Sequence, residues 1–179
     1  MRQIGDSETA APVIRRCEDE DLPAIQAIYS HYVLHGTATF ETVPPLLGDW
    51  QRKKAEVESV ELPFLVATMY DQVVGYSYCS RWRPRPAYRF TVEDSIYVAH
   101  DRIGHGIGSL LLPALLAECE QRGVQQVVAV IAVDGVTPSL GLHRRFGFRD
   151  AGRLTAVGYK FDRWLDTALM QKALGSSPR

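Results

Sequence analysis

Apolar positions change period along the chain, and each change marks an element. Pro12-Val13-Ile14-Arg15-Arg16 is short, β-branched and followed by charge, so it reads as a strand. Glu18 to Asp21 places acidic residues where a helix dipole favours them. Leu22, Ile25, Ile28, Tyr29 and Tyr32 then recur at helical spacing until Gly36 stops the helix. Thr37-Ala38-Thr39-Phe40-Glu41 runs into Pro44-Pro45 and is predicted to be a loop or short extended piece, and Leu46 to Val60 a second, mostly charged helix. Phe64 to Met69 and Val73 to Ser80 are strands whose separation by Tyr70-Asp71-Gln72 suits an antiparallel hairpin. Arg89 to Val98 is a longer strand, and a period of two sets Thr91, Glu93, Ser95 and Tyr97 on one face.

The second half is more apolar. Ile107, Leu110, Leu111, Leu112, Leu115, Leu116 and Cys119 build a helix that ends at Gly123, with a bend predicted at Pro113. Gln126 to Val133 is nearly continuous Val, Ile and Ala, the composition of a strand buried on both faces. Ser139 to Phe146 is a short helix closed by Gly147, and Arg149 to Phe161 and Thr167 to Lys172 finish as strands. The order β-α-α-β-β-β-α-β-α-β-β is neither alternating nor segregated. It predicts an α/β (α+β) domain, a mixed sheet with helices on both faces. At 179 residues and 20.0 kDa the chain fits one domain with its own core, residues 13–174, between polar ends at 1–12 and 175–179 that are expected to be loose.

Composition then removes several classes of partner. Lys and Arg number 20 against 21 Asp and Glu, so no basic footprint points to nucleic acid and any anion site must be local. Cys17, Cys79 and Cys119 include no C-x-x-C pair, which argues against a disulfide framework or a zinc site and suits a reducing cytoplasm. No apolar run reaches membrane-spanning length, and Met1 to Ala11 lacks the order of a signal peptide. His31 and His35 are four apart, but no H-E-x-x-H exists and no metal is expected.

Candidate chemistry centres on the strand Asp94-Ser95-Ile96-Tyr97-Val98, which leads into Gly104-His105-Gly106-Ile107-Gly108 and the apolar helix. Glycines at a helix start leave backbone N–H groups open to an anion such as a pyrophosphate; a plain surface turn is the alternative. The spacing is not that of a Rossmann fold. Glu93 lies on the preceding strand, where a ligand at the helix end would extend alongside it. It suits a general base, or else it is a solvent-facing carboxylate paired with Arg89 or Arg102. Asp94 falls on the opposite, apolar face and must be buried and partnered or sit at a bulge. Arg83-Pro84-Arg85-Pro86 holds two guanidinium groups on a stiff segment, suited to an oxyanion or simply to solvent. His143, one turn after Ser139, is either a proton donor or a ring packed under Phe146 and Phe148.

Together these residues resemble the GNAT acetyltransferase superfamily, and within it the phosphinothricin N-acetyltransferase family. The segments that carry the resemblance are Thr37 to Glu41, Arg83 to Arg89, Thr91 to Val98, Gly104 to Gly108, Leu142 to Phe148 and Gly158 to Asp166, spread over nearly the whole chain. The resemblance implies a mostly antiparallel sheet splayed in the middle, acetyl-CoA as donor, a small amino acid analogue as acceptor and a homodimer. It implies Glu93 as general base and His143 as proton donor to the departing thiolate. Ile96, Tyr97, Val98, Ile103, Gly104, His105, Gly106, Ile107, Gly108, Ser109, Ser139 and His143 would contact the coenzyme. Phe40, Arg83, Arg85, Tyr88 and Glu93 would form the acceptor site, with Tyr97 and Lys160 as weaker candidates. Two positions depart from the family: Ile103 replaces a glutamine or arginine, and Val136 an asparagine, so the coenzyme's grip should rest mainly on backbone amides, with Arg102 as a substitute cation. Acetylation of protein or peptide amines, and coenzyme A sensing without turnover, are the alternative readings.

Overall fold

The structure, a computed structural model, describes residues 11–135 and 137–175. In chain order its elements are β1 (Val13–Arg16), α1 (Leu22–His35), α2 (Leu47–Ser59), β2 (Phe64–Met69), β3 (Gln72–Arg81), β4 (Thr91–Val98), α3 (Ile107–Gln121), β5 (Gln126–Val133), α4 (Pro138–Arg145), β6 (Arg149–Lys160) and β7 (Arg163–Ala173). The predicted order holds. The loose ends expected at 1–12 and 175–179 fall largely outside the described residues, as does Val136.

The strands form one seven-stranded sheet in the order β1-β2-β3-β4-β5-β7-β6. Every neighbouring pair is antiparallel except β4 with β5. Alternation along the strands explains why helices cover both faces. In β2, Leu65 and Ala67 join Leu111, Leu112 and Leu115 of α3 in one core, while Phe64 and Val66 join Ile25, Val33, Trp50 and Val57 of α1 and α2 in the other. Burying each of these larger side chains contributes roughly 1.5–3 kcal/mol. The start of α1 is set by Asp21, whose carboxylate accepts two hydrogen bonds from Arg15, at 2.6 and 2.7 Å, and one from the Glu18 N–H at 2.8 Å.

Two expectations need adjustment. β7 begins at Arg163, four residues before Thr167, because Phe161 and Asp162 at φ 50° and 56° make a tight two-residue turn that pairs Lys160 with Arg163. β5 is not buried on both faces throughout, since Val130 is 40% exposed. α3 is continuous from Ile107 to Gln121, with Pro113 inside it.

The feature that positions the site is where β4 and β5 separate. They pair only from Thr91–Gln126 to Asp94–Ala129. Beyond that point β4 stays on β3 as far as Val98, and β5 stays on β7 as far as Val133. The strands part like an opened seam, and the peptide groups of Ser95 to Tyr97 that would face β5 have no strand partner among the described residues.

Candidate active site

Between the parted strands lies a cavity of about 160 Å3, bordered by Glu93, Asp94, Ile96 and Tyr97 from β4, by Ala129 to Ala132 from β5 and by Ser139 and His143 from α4. Val130 is exposed because it lines this opening, a reason that apolar composition cannot reveal. A second cavity of about 250 Å3 adjoins it, bordered by Tyr29, Thr39, Phe40, Tyr78, Ser95 and Thr167. Ala38, Glu93, Ser95, Tyr97, Val130 and Ala132 belong to both.

Glu93 is half-buried at that junction, on the face predicted for it. Burial pushes its carboxyl above the usual range and the charge of Asp94 adds to this, while Arg83 and Lys53 pull the other way. A carboxylate made more basic, standing where two cavities meet, can take a proton from a group entering one cavity while that group reacts in the other.

Asp94, one residue on, points to the other face and is buried as expected. Its Oδ2 lies 3.0 Å from Nε2 of His143, and both side chains are almost fully enclosed, at 1% and 2% exposure. The His143 Nδ1 is 2.7 Å from the Ser139 carbonyl. Burial alone would lower the imidazole pKa, but the hydrogen bond and charge of Asp94 outweigh it and the net shift is upward. His143 is therefore held between two hydrogen-bonding oxygens, those of Asp94 and Ser139. Its ring also meets Phe148 edge-on at 4.8 Å, so the packing alternative holds beside the polar one. Neither ring nitrogen is free to face the cavity.

The glycine turn meets the demands of an anion site. Gly104 and Gly106 sit at φ 85° and 78°, and a Cβ at either would meet nothing within 4 Å, so conformation rather than crowding requires glycine there. Gly106 caps α3, whose first N–H groups open at the positive end of the dipole. Gly108 packs closely on α4, where a Cβ would lie 3.1 Å from the Leu142 side chain. Ile103 is 54% exposed, and Arg102 pairs with neighbouring Asp101 at 3.5 Å.

The expected acceptor residues divide. Phe40 is in the second cavity with Glu93, and Tyr97 borders both cavities while its hydroxyl donates to the Ala38 carbonyl at 3.3 Å. Arg83, Arg85 and Tyr88 are exposed on the β3–β4 connection and border neither cavity; Arg83 lies over the Trp82 ring at 4.7 Å. Lys160 is buried behind the loop that carries Phe40. Sequence reasoning missed Tyr29 and Tyr78 as cavity walls. Tyr29 looked like core because it is core: its ring packs on Trp50, and only its hydroxyl, 2.6 Å from Thr39 Oγ1, reaches the site. Among the described residues no group of three or more His, Cys, Asp or Glu side chains could hold a metal ion.

Residues 25–148 match the acetyltransferase (GNAT) family. The chain belongs to that family. This GNAT chain is 49% identical to the phosphinothricin N-acetyltransferase of Alcaligenes faecalis, over 93% of its own length and 84% of the relative's. It is 40% identical to an L-methionine sulfoximine/L-methionine sulfone acetyltransferase of Pseudomonas aeruginosa, over 88% and 92% of the two chains. In three dimensions it superposes with a TM-score of 0.87 and 42% identity on a GNAT superfamily phosphinothricin acetyltransferase from Sinorhizobium meliloti, crystallised in complex with AcCoA, covering 92% and 89% of the two chains. The GNAT-like mixed sheet expected from the sequence is thus the fold observed.

Proposed function

We propose that this GNAT enzyme moves an acetyl group from acetyl-CoA to the primary amine of a small amino acid or analogue of the phosphinothricin, methionine sulfoximine or methionine sulfone type. The observation that carries this reading is Glu93, a carboxylate of raised basicity at the junction of two cavities, where β4 and β5 part. The names of the similar proteins support the acceptor class, and the small second cavity favours an amino acid over a peptide.

In this reading the amides at Gly104 to Ser109 hold the coenzyme's pyrophosphate, and Ile96, Tyr97, Val98, Ser139 and His143 flank its thioester arm. Acetyl-CoA supplies an activated acyl group. The chain supplies a base and a place for charge. An aliphatic amine is mostly ammonium at neutral pH, so Glu93 must first remove a proton, directly or through water. A β4 N–H left unpaired beyond Asp94 then faces the developing oxyanion. His143, with both ring nitrogens engaged, keeps Asp94 and the cavity floor in place, and solvent protonates the thiolate.

Arg83, whose charge reaches Glu93 although its side chain borders neither cavity, draws the acceptor's acid group toward the second cavity. Arg83→Ala should raise acceptor KM about tenfold while acetyl-CoA KM stays within about twofold; an unchanged acceptor KM would refute this orientation. Gly106→Ala forces a side chain into the left-handed region, at a cost of about 1–2 kcal/mol. A thermal melt should show the lost stability, and calorimetry a weaker affinity for acetyl-CoA.

A homodimer fits the outer face of the β6–β7 hairpin. Among the described residues β6 has no strand partner on its outer edge, and Tyr159, Phe161 and Trp164 are 55%, 51% and 66% exposed. A cytoplasmic setting fits Cys17, Cys79 and Cys119, all free and buried. Free-thiol release from acetyl-CoA tests the whole reading, with phosphinothricin, methionine sulfoximine, methionine sulfone, a peptide and no acceptor as separate arms. Signal with the analogues alone is the expected result, and silence in every arm would point to a coenzyme sensor.

A further inference from the structure

Residues 37–41 have no regular secondary structure, yet Ala38, Thr39 and Phe40 form a wall of the second cavity. Their backbone has to be held from outside. Lys160, at the end of β6 and 4% exposed, donates to three carbonyls: Gly36 at 2.8 Å, Thr39 at 2.9 Å and Tyr32 at 3.3 Å. Tyr32 and Gly36 stand at the negative end of α1, where a cation gains further from the dipole. An ammonium has three protons, and these carbonyls use all of them. None remains for a substrate, so Lys160 is not an acceptor ligand.

Two residues earlier on the same strand face, Gly158 lies against Phe40. A Cβ there would sit 2.3 Å from the ring, and the backbone is not in the left-handed region, so space alone requires the glycine. A bulge aims both residues inward. The β6–β7 register breaks between Leu154 and Gly158, where Ala156 takes φ 51°. Asp166 fixes that break, accepting from the Ala156 N–H at 2.8 Å and from Arg153 Nε at 2.8 Å. A second tie runs through Asp134, which pairs with Arg163 of β7 and accepts from the Thr37 hydroxyl at 3.1 Å.

We propose that the β6–β7 hairpin is a clamp for the acceptor site: Lys160 is a positioning residue that holds residues 36–39 in place, and Gly158 sets the cavity's width by admitting the Phe40 ring. The inference rests on the proposed amine-acceptor role of the second cavity. Lys160→Met should raise acceptor KM about tenfold, equivalent to ~1.4 kcal/mol, with acetyl-CoA KM within about twofold. In the same variant, hydrogen–deuterium exchange should speed up at the amides of residues 37–41 and stay unchanged in α3. Gly158→Ala, which pushes Phe40 into the cavity, should lower kcat/KM for methionine sulfone more than for alanine. Unchanged exchange at residues 37–41, or equal rises in both KM values, would overturn the clamp. If Lys160→Met fails to fold, an unchanged chain-length preference in Gly158→Ala overturns it. Exchange needs no acceptor, so it decides the clamp even if the wild type acetylates none of the analogues.

Discussion

Glu93→Gln is expected to lower kcat by about a hundredfold to ten-thousandfold, the usual cost of removing a general base. The amide keeps the shape and most hydrogen bonds of the carboxylate but cannot accept a proton, so acetyl-CoA affinity should stay near the wild-type value. Unchanged turnover would end the assignment. The pH profile gives an independent check. The base works only when deprotonated, and its pKa is raised by burial and by Asp94. Activity should therefore fall, as pH is lowered, through a midpoint above the ordinary carboxylate range. Removing the charge of Asp94 should move that midpoint down, because one of its two causes is gone.

The second large effect concerns stability. His143→Leu would strand the buried carboxylate of Asp94, whose Oδ1 already has no partner among the described residues, and should cost about 3–5 kcal/mol in urea unfolding. The double variant Asp94→Leu/His143→Leu should recover most of this, since two apolar side chains fill the space without a desolvated charge. A loss as large in the double variant would show that packing and not charge dominates. The pH dependence has a definite sign. The folded pKa of His143 lies above its unfolded value, so folding takes up a proton. The pair's contribution is full below the unfolded histidine pKa, near ~6.5, and is lost as pH rises through the folded value. The wild type's stability relative to the double variant should therefore shrink from acid toward neutral and alkaline pH.

Local periodicity determines a good deal of this protein. The order of the strands and helices, the face of β4 that carries Glu93, the burial of Asp94 and the need for glycine at Gly104 and Gly106 follow from side-chain alternation, helical spacing and the steric limits of φ. These are properties of a few neighbouring residues. Tertiary structure alone decided the rest, because periodicity says which side of an element turns inward but not which element it will meet. That β5 lies parallel to β4 and leaves it after Asp94 is a matter of sheet order, and this parting exposes Val130 and opens the cleft. Asp94 finds His143 49 positions away, and Lys160 meets carbonyls 121 to 128 positions away. Arg85 and Tyr88, close in sequence to Glu93, end up outside both cavities because the β3–β4 connection turns them to solvent. The sequence by itself thus determined the elements and the face of β4 on which Glu93 stands. The folded sheet decided which side chains surround Glu93, because such contacts depend on strand order and register between segments far apart in the chain.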